Sequence, residues 1–300
     1  MISQVSILNN KLDCLLDWLT INKLSLNINK TKFMLFHFLQ TKLDNSVIPK
    51  IKFKDKLIER VDHFKFLGIY IDSCLTWDKH VFEICNKISK TVGILSVLKH
   101  KFPIRILLMI YNSLILSHIN YGVTLWGFNN CNRLKQLQKK AIRYITNSSF
   151  FAHTKPLCKT LNCLLFDDIF DLACAKFYFK FKNGLLPMYF YENKFIEAYE
   201  CRRNLTRKII RPPEFTTYIT DSVNFRPLLL IPSFKNNHCR KVLRFRIAYL
   251  FNNKIPSCVT DKVYSLSLLS FCKCFKKHIL DNYEMVCYNF NCFVCLHGNA

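Results

Sequence analysis

Negative charge is what this 300-residue chain has least of: 20 Asp and Glu stand against 44 Lys and Arg, a formal net charge of +24. A body so cationic repels itself and attracts polyanions, which points to nucleic acid ahead of acidic membranes or proteins. Long apolar runs are also missing. The best candidate, Ile104 to Phe128, is interrupted by Arg105, Asn112, Ser113, His118 and Asn120, and leaves no segment suited to spanning a bilayer. Met1 to Asn10 has neither a basic start nor a long apolar stretch, so no secretory leader is expected and the chain reads as intracellular, in nucleus or cytoplasm. Internal repeats and long low-complexity segments are absent. Cysteine is not scarce, but the count of 15 is odd, and Cys14, Cys85, Cys163 and Cys174 sit inside apolar runs. They read as small buried hydrophobes of a reducing compartment, not as a disulfide framework. Half the residues are hydrophobic and 14% aromatic, which excludes general disorder and allows one large or two small domains.

What is present has two periods. Val5, Leu8, Leu12, Leu15, Leu16 and Leu19 recur at helical spacing, so a helix is expected over Met1 to Leu19. Leu24, Leu26 and Ile28 then alternate with polar residues, and Phe33 to Phe38 reads as an apolar strand. Ile51 to Phe53 and Leu57 to Val61 flank Lys54-Asp55-Lys56 as a small hairpin, and Phe64 to Ile71 as a further strand bent at Gly68. From there the period is helical. Val81, Ile84, Ile88, Val92, Leu95 and Leu98 form one stripe, Ile104 to Ser117 a second helix opened by Pro103, and Arg133 to Thr146 a third with Leu134, Leu137, Ala141, Ile142 and Ile145 inside. Leu157 to Leu165 and Phe170 to Phe181 read as helices separated at Asp167-Asp168, which serve as cap and acidic first turn. Asn183-Gly184 ends the run. Residues 192–234 show no period; Lys241 to Phe251 and Leu268 to Leu280 are helical again. The expected fold class is α+β: a helix with short antiparallel strands over residues 1–75, a helical bundle over 76–150, a helical extension over 151–190, and a partly irregular region over 191–300.

Several strings, in order, carry a resemblance. Asp17 to Phe36 reads D-W-L-T-I-N-K-L-S-L-N-I-N-K-T-K-F-M-L-F, and Phe64 to Ile69 reads F-K-F-L-G-I. L-T-W-D-K-H, Y-N-S-L-I-L-S-H-I-N-Y-G-V-T-L-W-G, L-Q-K-K-A-I-R-Y-I-T, H-T-K-P-L, L-L-F-D-D and K-N-G-L-L-P follow. This succession resembles motif D, the primer grip, the thumb and the C-terminal region of non-LTR (LINE-type) retrotransposon reverse transcriptases. It covers Leu12 to Pro187 well and the remainder loosely. The resemblance implies a palm remnant followed by a thumb. It implies no polymerase centre in these residues, because that family holds its two metal ions on aspartates that precede motif D. No aromatic-x-Asp-Asp turn is found: Leu165 stands where Asp167-Asp168 would need the aromatic. The expectation is a truncated RNA-directed DNA polymerase, not an enzyme as it stands, with Mg²⁺ requiring the missing aspartates.

Candidate contacts follow. The resemblance puts Lys30 or Lys32 in the place of a motif D lysine near nucleotide phosphates, and Gly68 where a primer-grip backbone approaches its primer. On the third bundle helix Lys135, Lys139 and Arg143 recur every four residues beside Lys140, a cationic stripe that phosphate would relieve of like-charge repulsion; Lys87 and Lys90 offer a weaker one. Tyr121, Trp126 and Tyr144 read as core or bundle-cap residues ahead of base stackers. Cys287, Cys292, Cys295 and His297 are four potential zinc ligands, but one residue between Cys295 and His297 leaves little loop for tetrahedral closure, so no zinc is expected. The expected partner is the backbone of RNA or DNA, with the missing polymerase half as a second. A stand-alone nucleic-acid-binding protein and a non-enzymatic interaction scaffold are the alternatives.

Overall fold

The computed structural model describes residues 2–38, 51–53, 56–190, 243–256, 259 and 266–283. The fold is α+β and mostly helical, and it divides into two units, residues 1–83 and 84–300.

In the first unit the helical stripe folds as α1 (Ile2–Ile21). Leu12, Leu16 and Leu19 pack with Leu26, Ile28 and Phe33 around the buried Ile51 and Ile58. The strands are short. β1 (Lys32–Phe33) pairs in parallel with β4 (Glu59–Arg60), β2 (Lys52–Phe53) pairs antiparallel with β3 (Lys56–Leu57), and β5 (His63–Phe66) pairs antiparallel with β6 (Ile69–Asp72). The β2–β3 ladder is the antiparallel pair expected around Lys54-Asp55-Lys56, with Lys56 in β3 and not in the turn; Lys54 and Asp55 lie outside the described residues. Of the strand expected over Phe33 to Phe38, Phe33 lies in β1, where among the described residues a ladder partner lies alongside; further on, the His37 N–H donates to the Ser73 carbonyl at 3.1 Å. The single bent strand expected over Phe64 to Ile71 is instead the β5–β6 hairpin. Leu67 (φ +45°) and Gly68 (φ +85°) are both left-handed, as a two-residue type I′ turn requires. Gly68 meets this demand without strain; Leu67, three-quarters exposed at the tip, does not.

Asp72 then stitches the hairpin to the helix that follows. Its buried carboxylate accepts from the main-chain N–H groups of Cys74 (3.1 Å), Thr76 (2.9 Å) and Trp77 (2.7 Å). These bonds hold a loop in which Leu75 and Trp77 take positive φ, a conformation that costs each residue free energy unless its surroundings impose it. Helix α2 (Asp78–Leu98) starts where this loop ends.

The second unit is helical throughout its described residues. Along α2, Ile84, Cys85, Ile88, Val92 and Leu95 are buried. α3 (Ile104–Tyr111) opens at Pro103, passes into a π-helical segment (Asn112–Leu116) and continues as α4 (Ser117–Asn120). Leu107, Tyr111, Ile115 and Ile119 are fully buried although four residues apart each time. In an α-helix a step of four overshoots the turn by about 40°; the wider π turn takes up that excess and keeps all four on one side. α5 (Val123–Trp126) ends at Gly127, where a Cβ would sit 2.5 Å from the Val123 carbonyl oxygen and 2.6 Å from the Phe170 ring.

α6 (Asn132–Ile145) buries Leu134, Ala141, Ile142 and Ile145 as expected, but Leu137 is only half-buried and Gln138 takes the interior position. The Gln138 amide nitrogen donates to the Tyr111 hydroxyl (2.9 Å) and the Leu164 carbonyl (3.0 Å), while its oxygen accepts from the Phe166 N–H (2.8 Å). α7 (Thr154–Thr160) and α8 (Phe166–Lys182) follow. The break between them lies at 161–165, where Asn162 is left-handed, not at Asp167-Asp168. Those two acids occupy the first turn of α8, whose N-terminus favours negative charge, and Leu165 is the capping position. α8 ends at Asn183, with Gly184 at φ +69° beyond.

Two further helices lie on α8. In α9 (Leu243–Asn253) Phe251 meets Tyr178 at 4.2 Å between ring centroids, and in α10 (Leu268–Asp281) Phe271 meets Phe179 at 4.9 Å. Asp171 is 2% exposed and pairs with both Arg246 and, at 2.7 Å, Lys254. Tyr283 closes the assembly, its hydroxyl donating to Asp168, whose carboxyl burial pushes above its ordinary value.

Gln138→Ala is expected to lower stability by about 3 kcal/mol or more, since it strands the Phe166 N–H and Tyr111 hydroxyl and opens a cavity. The urea midpoint measures it; a loss under about 1 kcal/mol would show that these groups find other partners.

Candidate nucleic-acid interface

From Ile84 to Phe166 the chain contains no Asp or Glu at all, and twelve Lys and Arg. The cations of this stretch therefore have few acids nearby in sequence, and the fold draws some of them inward and leaves others exposed.

α6 shows the separation most clearly. Its inner face is set by Leu134, Gln138, Ala141, Ile142 and Ile145, so the opposite face carries Arg133, Gln136, Lys139 and Lys140, all exposed. The stripe expected from Lys135, Lys139 and Arg143 is not uniform. Lys135 is half-buried, pairs with Asp167 of α8 at 2.8 Å and lies over the Phe166 ring at 5.8 Å. Arg143 is also half-buried. Its Nε donates to the Ala152 carbonyl at 2.9 Å, its guanidinium lies over the Phe150 ring at 5.9 Å, and burial lowers its pKa from the ordinary value. Lys139 and Lys140 keep the outward place.

A second element of the face is Tyr144, half-buried at the C-terminal end of α6. The Lys140 ammonium lies 5.7 Å and the Lys99 ammonium 5.3 Å from its ring centroid. Two cations thus lie over one aromatic ring, each attracted by its quadrupole. Two points of α2 lie near α6: Lys99, just past its end, reaches Tyr144, and Cys85 lies close enough to Arg133 for that charge to lower its pKa against the larger rise from burial. Burial pushes the Cys131 thiol up to about 12, so it stays neutral in this cationic setting. Lys87 and Lys90 are exposed on α2. Burial, and secondly the Lys87 ammonium, lower the pKa of His118 in α4.

The first unit holds a similar set. Lys65 and Lys79, both exposed, lie 5.6 and 5.4 Å from the ring centroid of Tyr70. Lys30 is exposed at the end of a 3₁₀ turn, Ile28–Lys30, with its main-chain N–H on the Asn27 side chain. Lys32 is ion-paired with Glu59, its opposite number in the β1–β4 register, so its charge is already matched. Gly68 sits at the exposed hairpin tip. Trp126 is wholly buried, its Nε1 donating to the Tyr121 carbonyl at 3.0 Å, while Tyr121 itself is exposed. The Cys287–His297 cluster lies outside the described residues; among those that are described, no group of three His, Cys, Asp or Glu gathers where a metal could be held. Among them also, no helix is long and apolar enough to cross a membrane.

In the acid-free stretch this arrangement leaves Lys87, Lys90, Lys139 and Lys140 exposed, the last of them over the Tyr144 ring. The chain is similar to two curated proteins. Over 129 residues, 40% of this chain and 14% of the relative, the sequence is 27% identical to the probable RNA-directed DNA polymerase from transposon X-element of Drosophila melanogaster. Over 119 residues, 38% of this chain and 13% of the relative, it is 25% identical to the RNA-directed DNA polymerase from mobile element jockey of the same organism. The chain is related to non-LTR retrotransposon RNA-directed DNA polymerases. It spans about one-seventh of the length of these curated relatives. No family model and no solved structure matches it.

Several residues of this cationic surface are not evident from sequence: Lys99 and Tyr144 as a pair, Lys65 with Tyr70, and the outward place of Arg133. The acid-free stretch can be counted in the sequence and marks the right region; which lysines stay exposed within it depends on α8 and the loop after α6.

Neutralising Lys87 is expected to raise the pKa of His118, because a nearby positive charge disfavours the imidazolium. Lys87→Gln, or a saturating oligonucleotide at low salt, should both shift the His118 titration upward by NMR. A titration unmoved by either would mean that phosphate does not reach this part of α2.

Proposed function

We propose that this chain binds the phosphate backbone of RNA or DNA as the thumb-side portion of a non-LTR retrotransposon RNA-directed DNA polymerase. The observation that carries the reading is the acid-free stretch Ile84 to Phe166, whose exposed Lys87, Lys90, Lys139 and Lys140, with Arg133 and the lysine pair on Tyr144, make a cationic surface. The relationship to two mobile-element polymerases supplies the context. On this reading residues 1–75 are the palm remnant with motif D and primer grip, residues 76–150 the thumb-like bundle, 151–190 its helical extension and 191–300 the C-terminal region. Lys30 and Gly68 lie toward the nucleotide and primer end. Lys32, Lys135 and Arg143 act through the fold, holding strands, helices and a loop in place. The reaction itself, with its Mg²⁺-binding carboxylates, belongs to the portion that precedes motif D in the polymerase family. This chain supplies grip and no catalysis. Backbone contacts of this kind position a duplex without reading its sequence.

The test is fluorescence anisotropy with an RNA–DNA primer–template at several salt concentrations. Lys139→Ala/Lys140→Ala is expected to weaken binding equally across sequences and to reduce the slope of log K against log salt by about two, one for each phosphate no longer neutralised. Lys32→Ala should leave both unchanged. Failure of the wild-type protein to bind at low salt would overturn the proposal.

A second surface favours a protein contact in the first unit. An open groove there is lined by Phe33, Met34, Phe36, Phe64, Phe66 and Ile71, and Phe36, Phe38 and Phe66 are largely exposed. The rest of the polymerase is the occupant this reading assigns to it. Phe64→Ser/Phe66→Ser should raise the monomeric soluble fraction on size exclusion; an unchanged profile would count against an interface here.

A further inference from the structure

α6 ends in a loop that is firmly built yet presents two phenylalanines to solvent. Asn147 takes φ +50°, the left-handed conformation that ends a helix, and the Ser148 N–H returns to the Arg143 carbonyl at 2.9 Å. The Thr146 and Ser148 hydroxyls lie 2.8 Å apart, the Ala152 N–H donates to the Ser149 carbonyl at 3.1 Å, and Arg143 clamps the Ala152 carbonyl. Held this way, Phe150 is 67% and Phe151 55% exposed. Their rings are 5.2 Å apart and nearly perpendicular, and the Arg143 guanidinium lies over Phe150.

Two adjacent exposed phenylalanines oppose the hydrophobic effect unless something covers them. The surroundings decide what. No acidic residue occurs between Asn132 and Phe166; Lys139 and Lys140 are exposed one turn back on α6, and Lys155 is exposed just beyond the loop. An apolar surface in an acid-free stretch of chain that also carries exposed cations suits a ligand that joins flat apolar faces to negative charge. Nucleic-acid bases joined by phosphates have this constitution. The bases of a duplex are already stacked on one another, whereas those of an unpaired strand have free faces for aromatic side chains.

We infer that Phe150 and Phe151 form a stacking platform for unpaired bases, held in place by Arg143, with Lys139 and Lys140 taking the adjoining phosphates. This rests on the backbone-binding reading above and adds to it a preference for single-stranded ends or overhangs. An unpaired base stacks on one ring and abuts the edge of the other. Its strand then runs along the outward face of α6.

The experiment compares binding of the full chain to a single-stranded oligonucleotide and to a blunt duplex of the same sequence. Phe150→Ala/Phe151→Ala is expected to weaken single-strand binding at least tenfold while leaving duplex binding and its salt slope unchanged. Phe150→Leu/Phe151→Leu, which keeps apolar area but loses the flat rings, should behave like the alanine variant, and Phe150→Trp/Phe151→Trp should restore affinity. Equal losses on both nucleic acids, or a leucine variant as tight as wild type, would overturn the platform, the latter pointing to an apolar protein partner. If the wild type binds neither nucleic acid, the backbone-binding reading falls and this one with it. If it binds both and the alanine variant is indistinguishable, only the platform falls. Far-ultraviolet circular dichroism of each variant separates lost binding from lost folding.

Discussion

One buried amide organises the larger unit. Gln138 reaches from α6 to the Tyr111 hydroxyl on α3, the Leu164 carbonyl and the first N–H of α8. Each bond is of ordinary length. Together they fix three chain segments around one side chain that is buried from bulk solvent. Everything on the outward side of α6 inherits its position from that fixture. The Lys135–Asp167 pair sits one residue from the Phe166 N–H that Gln138 holds, so the junction that defines the core also decides which cation is withdrawn from solvent. Lys139 and Lys140 face outward because Gln138 faces inward.

The shortage of acids gives the structure its second theme. Where a protein of balanced composition would match each inward-leaning cation with a carboxylate, this chain uses other acceptors across residues 84–166. Arg143 is held by a carbonyl and an aromatic ring, and Lys99 and Lys140 share Tyr144. Such arrangements place a cation but leave its charge uncancelled. Among the described residues two carboxylates are buried: Asp171, with Arg246 and Lys254, and Asp72, which ties a loop. The surface stays attractive to anions because the fold seldom neutralises it from within.

Much of this is legible in sequence where period alone decides. The α2 stripe and the inner face of α6 follow helical spacing, and Asn183-Gly184 marks the end of α8, because one dominant apolar face against one core leaves few alternatives. The β5–β6 hairpin reads in sequence as a single strand because Leu67-Gly68 is an unusual tip: Leu is poorly suited to a left-handed position, and only the ladder His63↔Asp72 through Phe66↔Ile69 forces it there. Gln138 looks like one more polar residue among lysines, since its three partners come from residues 26 to 28 positions away. The withdrawal of Lys135 and Arg143 is hidden for the same reason. Sequence spacing gives the direction of a side chain on its own helix, but not what another element places over it.

The π-helical segment in the middle of α3 and α4 bears on how this chain tolerates changes of length. Asn112, Ser113 and Leu114 are exposed, between the buried Tyr111 and Ile115. Losing any one of the three would turn the spacing of the four buried residues from four, four, four into four, three, four. That is the spacing an unbroken α-helix prefers. The same inward set would be kept on a helix one residue shorter. A one-residue deletion elsewhere in these helices would swing every later side chain by about 100° and empty the core. The segment is therefore a place where the length of the bundle can drift without its interior noticing.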